Sequence, residues 1–198
     1  EAYRLVIDEE GISITGADAT GVFYGIMTLD QMLVPEQEGG RLAYLNAVTV
    51  EDSPRTGMRE LMVDPCRIFI PFEDLKGMVV EMARYKMNAL HLHLTDDQAW
   101  RIEIKKYPRL TALGSFRVGM DDMQMPIGGF STQEQMKELV ALASQYHVEI
   151  IPEIEMPGHQ VAAIHCYPEL TCGAVQLPIR TTCGVSDNLL CPSNEFTY

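Results

Sequence analysis

Asn88-Ala89-Leu90-His91-Leu92-His93-Leu94-Thr95-Asp96-Asp97-Gln98 is the stretch from which the fold can be read. Apolar residues and histidines alternate, and two adjacent carboxylates close the run. A short apolar segment ending in acids reads as a buried parallel strand that presents polar groups at its C-terminal end. A second stretch repeats the pattern: Val148-Glu149-Ile150-Ile151-Pro152-Glu153-Ile154-Glu155-Met156-Pro157-Gly158-His159. It is again an apolar strand ending in carboxylates, followed by a Pro-Gly turn and a histidine. In barrels of alternating strands and helices, that end of the strands carries the chemistry.

Working outward, Met58–Asp64 reads as a preceding strand, and Pro71–Lys86 as a helix with Pro at its start and Leu75, Met78, Val79, Met82 and Tyr85 on its buried face. Trp100–Gly129 is a long connection. Ser131-x-x-Glu134 predicts a capping box that opens a helix to Gln145. The segment from His159 to Pro192 reads as loop, and Asn194–Tyr198 as the start of another helix. Strands separated by helices imply right-handed crossovers and a parallel sheet. Only three such units are predicted, whereas a closed barrel has eight over typically ~250 residues. The pattern therefore fits either a small open α/β sheet or the first part of a barrel.

Upstream, Tyr3–Ile7 and Ile12–Thr15 predict a hairpin around Asp8-Glu9-Glu10-Gly11. Ala17–Leu33 has helical spacing, with Val22, Ile26, Leu29 and Leu33 on one face, and Arg41–Val50 predicts a strand. Residues 1–52 read as the C-terminal part of a small α+β domain, too short to bury much core alone. Glu51-Asp52-Ser53-Pro54 marks the boundary with residues 53–198. The chain opens directly on a strand-like run, so its natural N-terminus is expected to lie further upstream.

The 198 residues are 46% hydrophobic, enough for a sizeable core, and carry a net charge of −13. That charge argues against nucleic acid and anionic membrane surfaces as partners. No apolar run approaches the roughly 20 residues of a membrane span, and no signal peptide is visible. The five cysteines, Cys66, Cys166, Cys172, Cys183 and Cys191, show no Cys-x-x-Cys spacing, which speaks against structural zinc. A Cys172–Cys191 disulfide would order the last loop; the plain alternative is two free thiols.

Several constellations could carry chemistry, each with an ordinary alternative. Asp96-Asp97 offers a carboxylate for a catalytic group or a sugar hydroxyl, or simply a turn acid. Adjacent strand residues face opposite ways, so one of the two is expected in the site; strand parity groups Asp97 with the histidines. His91-x-His93 places two imidazoles on one face, as metal ligands with an acid or as hydrogen-bonded interior histidines. Glu155 and His159 straddle the Pro-Gly turn, where a carboxylate could orient an imidazole. Arg67 ends the first strand with donors for hydroxyls, or forms an ion pair with Asp64.

Taken together, these residues resemble the family 20 glycoside hydrolases, the β-N-acetylhexosaminidases. The likeness rests on Gly57-Met58-Arg59 through Arg67, Ala83-Arg84-Tyr85-Lys86-Met87-Asn88, His91 through Gln98, and Pro152 through His159. Ala17 through Gly25 resembles the α+β domain that precedes the barrel in that family. The resemblance implies the first three βα units of a TIM (β/α)8 barrel, truncated before strand 4. It also implies a retaining, substrate-assisted hydrolysis of terminal β-linked GlcNAc or GalNAc, in which the acetamido oxygen is the nucleophile. Arg67 matches the arginine that binds the sugar hydroxyls, and Asp96 the buried aspartate of the second strand. His159 matches the histidine that hydrogen-bonds the catalytic acid. Glu155 matches the acid that orients that histidine, where the family usually has aspartate. Ile68 stands where the family commonly has histidine, and Pro65 stiffens the turn before it.

The family's Asp-Glu catalytic pair has no counterpart here, so these residues alone are expected to be inactive. No cofactor or metal is expected. The expected partner is a glycan ending in an N-acetylhexosamine, with self-association of the open sheet and an extracytoplasmic location. The alternatives are a metal-dependent hydrolase barrel built on His91 and His93, and a non-catalytic sugar-binding module.

Overall fold

A computed structural model describes residues 1–35, 43–118, 126–182 and 184–197. The N-terminal segment forms an antiparallel sheet. β1 (Tyr3–Asp8) lies between β2 (Gly11–Gly16) and β5 (Val48–Asp52), with registers running from Tyr3↔Gly16 to Asp8↔Gly11 and from Tyr3↔Asp52 to Ile7↔Val48. Tyr3, Leu5 and Ile7 alternate onto one face and bury Tyr24 of α1 (Ala19–Met32). Asp18 caps that helix, its Oδ1 accepting the Gly21 N–H at 2.7 Å. The predicted strand over Arg41–Val50 resolves into β4 (Ala43–Tyr44), paired with β3 (Val34–Pro35), and the separate β5; residues 41 and 42 lie outside the described set.

The second sheet is parallel. β7 (Ala89–His93) is central, with β6 (Glu60–Val63) and β10 (Glu149–Glu153) on either side. Glu60 and Glu149 both sit opposite Ala89, and Glu153 opposite His93. Leu90, Leu92 and Leu94 face α2 (Phe72–Arg84) and α4 (Gln133–Gln145), meeting Leu75, Val79, Met82, Leu139 and Ala143 in the main core. By alternation, His91 and His93 point to the other, polar face of the sheet. The fold is α/β.

The long connection after β7 is more structured than its sequence suggests. It holds α3 (Arg109–Ala112) and a hairpin of β8 (Phe116–Val118) with β9 (Pro126–Gly128). Bridges at Thr95↔Trp100 and Ile102↔Ser131 tie it to its own ends. The capping box of α4 falls one residue later than predicted. Thr132 is the N-cap, accepting the Gln135 N–H at 3.1 Å, while Gln135 Oε1 accepts the Thr132 N–H at 2.8 Å. The reading of everything from His159 to Pro192 as loop is corrected by α5 (Val161–Cys166), whose Val161, Ala162, Ala163, Ile164 and Cys166 are buried. Pro168–Leu170 and Glu195–Thr197 form single 3₁₀ turns, the latter where a helix start is predicted. A disulfide joins Cys172 to Cys191, Cys66 and Cys166 are buried thiols, and Cys183 lies outside the described residues.

Candidate active site

The C-terminal ends of β6, β7 and β10 lie side by side, and the side chains leaving them converge on Asp96. Beyond β7 the chain turns: the Asp96 N–H donates to the Ala99 carbonyl at 3.0 Å, and the Arg101 N–H to the Leu94 carbonyl at 2.8 Å. This turn ends the strand's alternation. Asp96, not Asp97, therefore joins His93, against strand parity. Asp96 Oδ2 accepts from His93 Nε2 at 2.7 Å and pairs with the Arg67 guanidinium. Its Oδ1 accepts from His159 Nδ1 at 3.0 Å and from the Asp97 N–H. Burial works against the charge, but the bonds from His93 and the Asp97 N–H, with Arg67 and His159 nearby, hold the carboxyl below its ordinary value. An ionised carboxylate only accepts, so the facing nitrogens of both rings carry the protons.

Arg67 leaves the turn after β6. Asp64 Oδ1 accepts the Cys66 and Arg67 N–H groups, each at 3.0 Å, and Asp64 Oδ2 takes Arg67 Nη1 at 2.6 Å. The guanidinium thus bridges Asp64 and Asp96, and its side chain keeps 29% of its surface open. Burial opposes its charge, but the Asp64 hydrogen bond and the Asp96 carboxylate keep it firmly protonated. The open N–H groups can donate to hydroxyls.

Behind this pair sits a second cluster. His91 contacts Glu60 Oε1 through Nδ1 and Glu153 Oε2 through Nε2, both at 2.8 Å. His93 Nδ1 lies 3.0 Å from the same Glu153 oxygen. Neither approach to Glu153 Oε2 has hydrogen-bond angles, so these are close contacts rather than aligned bonds. The hydrogen bond to Asp96 outweighs burial and raises His93 to about 9. Glu155, 4.0 Å from His93 Nδ1, is raised by its hydrogen bond to Glu153, by burial and by the Glu153 charge. Burial works against Glu153 too, yet the Glu155 carboxyl and the nearby His93 and His91 rings hold it below its ordinary value.

The expected Glu155–His159 contact is corrected here. The carboxylate within hydrogen-bond reach of His159 is Asp96. Glu155 lies beyond the end of β10, beside Glu153 and 4.0 Å from His93, and its N–H is fixed by Thr95 Oγ1 at 2.9 Å. His159 reaches Asp96 from a backbone with φ 52°, a left-handed conformation that costs a non-glycine residue on the order of 1 kcal/mol. Such strain is retained where a side chain must be aimed. Asp97 turns away from the cluster. It accepts the Val161 N–H at 3.2 Å at the start of α5 and Arg180 Nη1 at 3.3 Å, linking β7 to the disulfide-closed loop.

Sequence reasoning missed two residues. Arg101 is 1% exposed, lies over the Phe69 ring, and donates only to backbone carbonyls. Desolvation lowers it to about 10. Arg117, also buried, donates to the Arg67 carbonyl at 2.5 Å. The one signal for Arg101 was an arginine placed directly between Trp100 and Ile102. Among the described residues, His93–Glu153–Glu155, Asp96–Asp97–His159 and Asp64–Cys66–His93 bring ligand-type atoms within 4.8 Å of one another. In the first two groups those atoms already pair with one another or with neighbouring cations. In the third, burial raises the Cys66 thiol far above its usual range, away from the thiolate a metal needs.

A model described as "Glycosyl hydrolase family 20, catalytic domain" matches residues 57–198, and one described as "Glycosyl hydrolase family 20, domain 2" matches residues 1–53. A beta-hexosaminidase of Porphyromonas gingivalis is 44% identical over all of this chain and 26% of its own length. One from Akkermansia muciniphila is 41% identical over 97% of this chain and 39% of its own. A solved mutant of the Streptomyces plicatus beta-hexosaminidase, in complex with product (GlcNAc), superposes with a TM-score of 0.88 at 39% identity, over 100% of this chain and 40% of that one. The chain thus spans about a quarter to two-fifths of the length of these relatives.

Proposed function

The chain belongs to glycosyl hydrolase family 20, and on that footing we propose that it is part of a β-N-acetylhexosaminidase acting on glycans that end in β-linked GlcNAc or GalNAc. In this reading residues 1–52 are the end of the small α+β domain. Residues 53–198 are the first three βα units of a (β/α)8 barrel, with the site at the C-terminal ends of its strands. The observation that carries the reading is the bridge from Arg67 through Asp96 to His159. One carboxylate joins an open guanidinium, suited to sugar hydroxyls, to an imidazole suited to proton handling.

The proposed reaction retains configuration. The substrate's acetamido oxygen attacks C1 as the leaving oxygen is protonated, and water then opens the cyclic intermediate. Arg67 binds the sugar ring. Asp96 keeps Arg67 in place and fixes the His159 tautomer, with Nδ1 protonated and Nε2 free to accept a hydrogen bond from the catalytic acid. We assign that acid to a part of the enzyme outside these residues, so the 198 residues alone are inactive. Self-association of the isolated chain through the outer edges of β6 and β10, which pair with no further strand among the described residues, belongs to the same proposal. So does an extracytoplasmic location; among the described residues no helix is long and apolar enough to cross a membrane.

The test is Asp96→Asn in the full-length protein, assayed on p-nitrophenyl N-acetyl-β-D-glucosaminide. Asparagine would present an N–H₂ where Asp96 now accepts from a cation or an imidazole. The expected result is a loss of ~10²-fold or more in kcat, as for removal of a proton-handling group, with the variant still folded. A folded variant with the wild-type rate would reject the assigned role.

A further inference from the structure

The turn that carries Arg67 has no secondary structure to satisfy its backbone, yet the backbone polar groups of residues 65–67 are all engaged by side chains. Pro65 has no N–H. The N–H groups of Cys66 and Arg67 both donate to Asp64 Oδ1 at 3.0 Å. The Pro65 carbonyl accepts Arg101 Nε at 2.7 Å, and the Cys66 carbonyl accepts Arg101 Nη2 at 3.1 Å. The Arg67 carbonyl accepts Arg117 Nη2 at 2.5 Å. Three successive carbonyls are therefore held by two buried arginines from the connection after β7.

Arg101 does more than cap the turn. Its Nη1 also donates to the Ser115 carbonyl at 2.6 Å and the Gly129 carbonyl at 2.8 Å, the segments flanking the β8–β9 hairpin. Gly129 has φ +148°, and a Cβ there would come within 2.4 Å of the Phe69 ring on which Arg101 lies. Among the described residues no carboxylate lies within ion-pair distance of Arg101. Burying a cation against carbonyls alone is costly. A neutral or smaller side chain could not reach all four carbonyls with a rigid fork of donors.

We propose that Arg101 and Arg117 are positioning residues for sugar recognition. They hold the backbone of residues 65–67 so that the Arg67 guanidinium is already in place when a sugar arrives. The proposal rests on the reading of Arg67 as the sugar-binding arginine. Asp64 and Asp96 fix the guanidinium end; Arg101 and Arg117 fix the backbone end. Preorganised donors lose less freedom on binding, so the benefit appears in affinity for the sugar more than in the chemical step.

A double-mutant cycle in the full-length protein tests this, using steady-state turnover of p-nitrophenyl N-acetyl-β-D-glucosaminide. Arg117→Ala is expected to lower kcat/KM about 10-fold, chiefly through KM, the size of one lost charge-assisted hydrogen bond. In an Arg67→Ala background the same change is expected to have less than about a twofold effect, because the group being positioned is gone. Arg117→Lys, which keeps one donor, should recover most of the loss, and Arg101→Lys, which keeps one donor of the fork, should behave like Arg117→Ala. An equal loss in both backgrounds, a loss confined to kcat, or none at all would overturn the proposal. If Arg117→Ala does not fold, Arg101→Lys in the two Arg67 backgrounds decides by the same criterion. Absence of turnover by the wild type, or a harmless Arg67→Ala, would instead reject the sugar-site reading, and the positioning role with it.

Discussion

Asp96 shows how much one side chain organises. Its two oxygens take a guanidinium, two imidazoles and a backbone N–H. A buried carboxylate is tolerated only when so fully paired. The same pairing raises His93 to about 9, with Glu153, Glu155 and Asp64 also facing that ring. Because the folded value lies above the ordinary 6.5, the stabilisation is complete below about pH 6.5 and is lost as pH rises through about 9. The rise corresponds to on the order of 3 kcal/mol. Urea midpoints should therefore fall between pH 6.5 and 9, and His93→Gln should flatten that fall. A wild-type midpoint constant across the window would contradict the assignment. At this scale the sequence exposed the residues better than their partners. Arg67, Asp96, His159 and Glu155 were all legible as strand-end polar groups, but parity pointed to Asp97 because nothing local announces where a strand stops alternating. Glu155 looked like the partner of His159 across the Pro-Gly turn, yet Asp96, distant in sequence, takes that contact.

Elements were legible where periodicity is long and lost where tertiary contacts decide. The strands of the parallel sheet and helices α1, α2 and α4 follow from apolar spacing, with ends shifted by one or two residues. The capping box is such a shift. Ser131-x-x-Glu134 and Thr132-x-x-Gln135 both fit the pattern, and the structure uses the second. Thr132→Ala is expected to cost about 1 kcal/mol in denaturant unfolding. Ser131→Ala should cost less than half of that; equal losses would contradict the capping assignment. Helix α5 left no readable signal. It is six residues long, mostly apolar, and lacks a side-chain cap of its own. Its first N–H, that of Val161, is served by Asp97 from another element, which no local pattern reveals. Arg101 is the same case in reverse: a charged residue flanked by Trp100 and Ile102 whose partners lie up to 36 positions away.

For the whole molecule, the antiparallel and parallel sheets make distinct contributions. Residues from β1 and α1 meet the parallel sheet through Arg59 on the Tyr24 hydroxyl at 2.7 Å and Lys86 on the Tyr3 hydroxyl at 2.9 Å. The polar cluster sits at the far ends of the parallel strands, closed on one side by the loop that the Cys172–Cys191 disulfide and Arg180 tether. This division follows from the sequence, where polar and acidic residues gather at the strand ends and apolar ones line the helices. What composition could not provide was the proton donor. Glu155, the one described carboxyl in the cluster raised above its ordinary value, is paired with Glu153 and lies 4.0 Å from His93 Nδ1, with the His159 imidazole also acting on it. The roles proposed for these residues are sugar binding and histidine orientation, with leaving-group protonation proposed to lie elsewhere in the enzyme. The direct measurement is hydrolysis of p-nitrophenyl N-acetyl-β-D-glucosaminide by the isolated 198-residue chain beside the full-length protein. Turnover is expected from the full-length protein and none from the isolated chain. Robust turnover by the isolated chain would contradict the proposal and would make Glu155 the acid to test first.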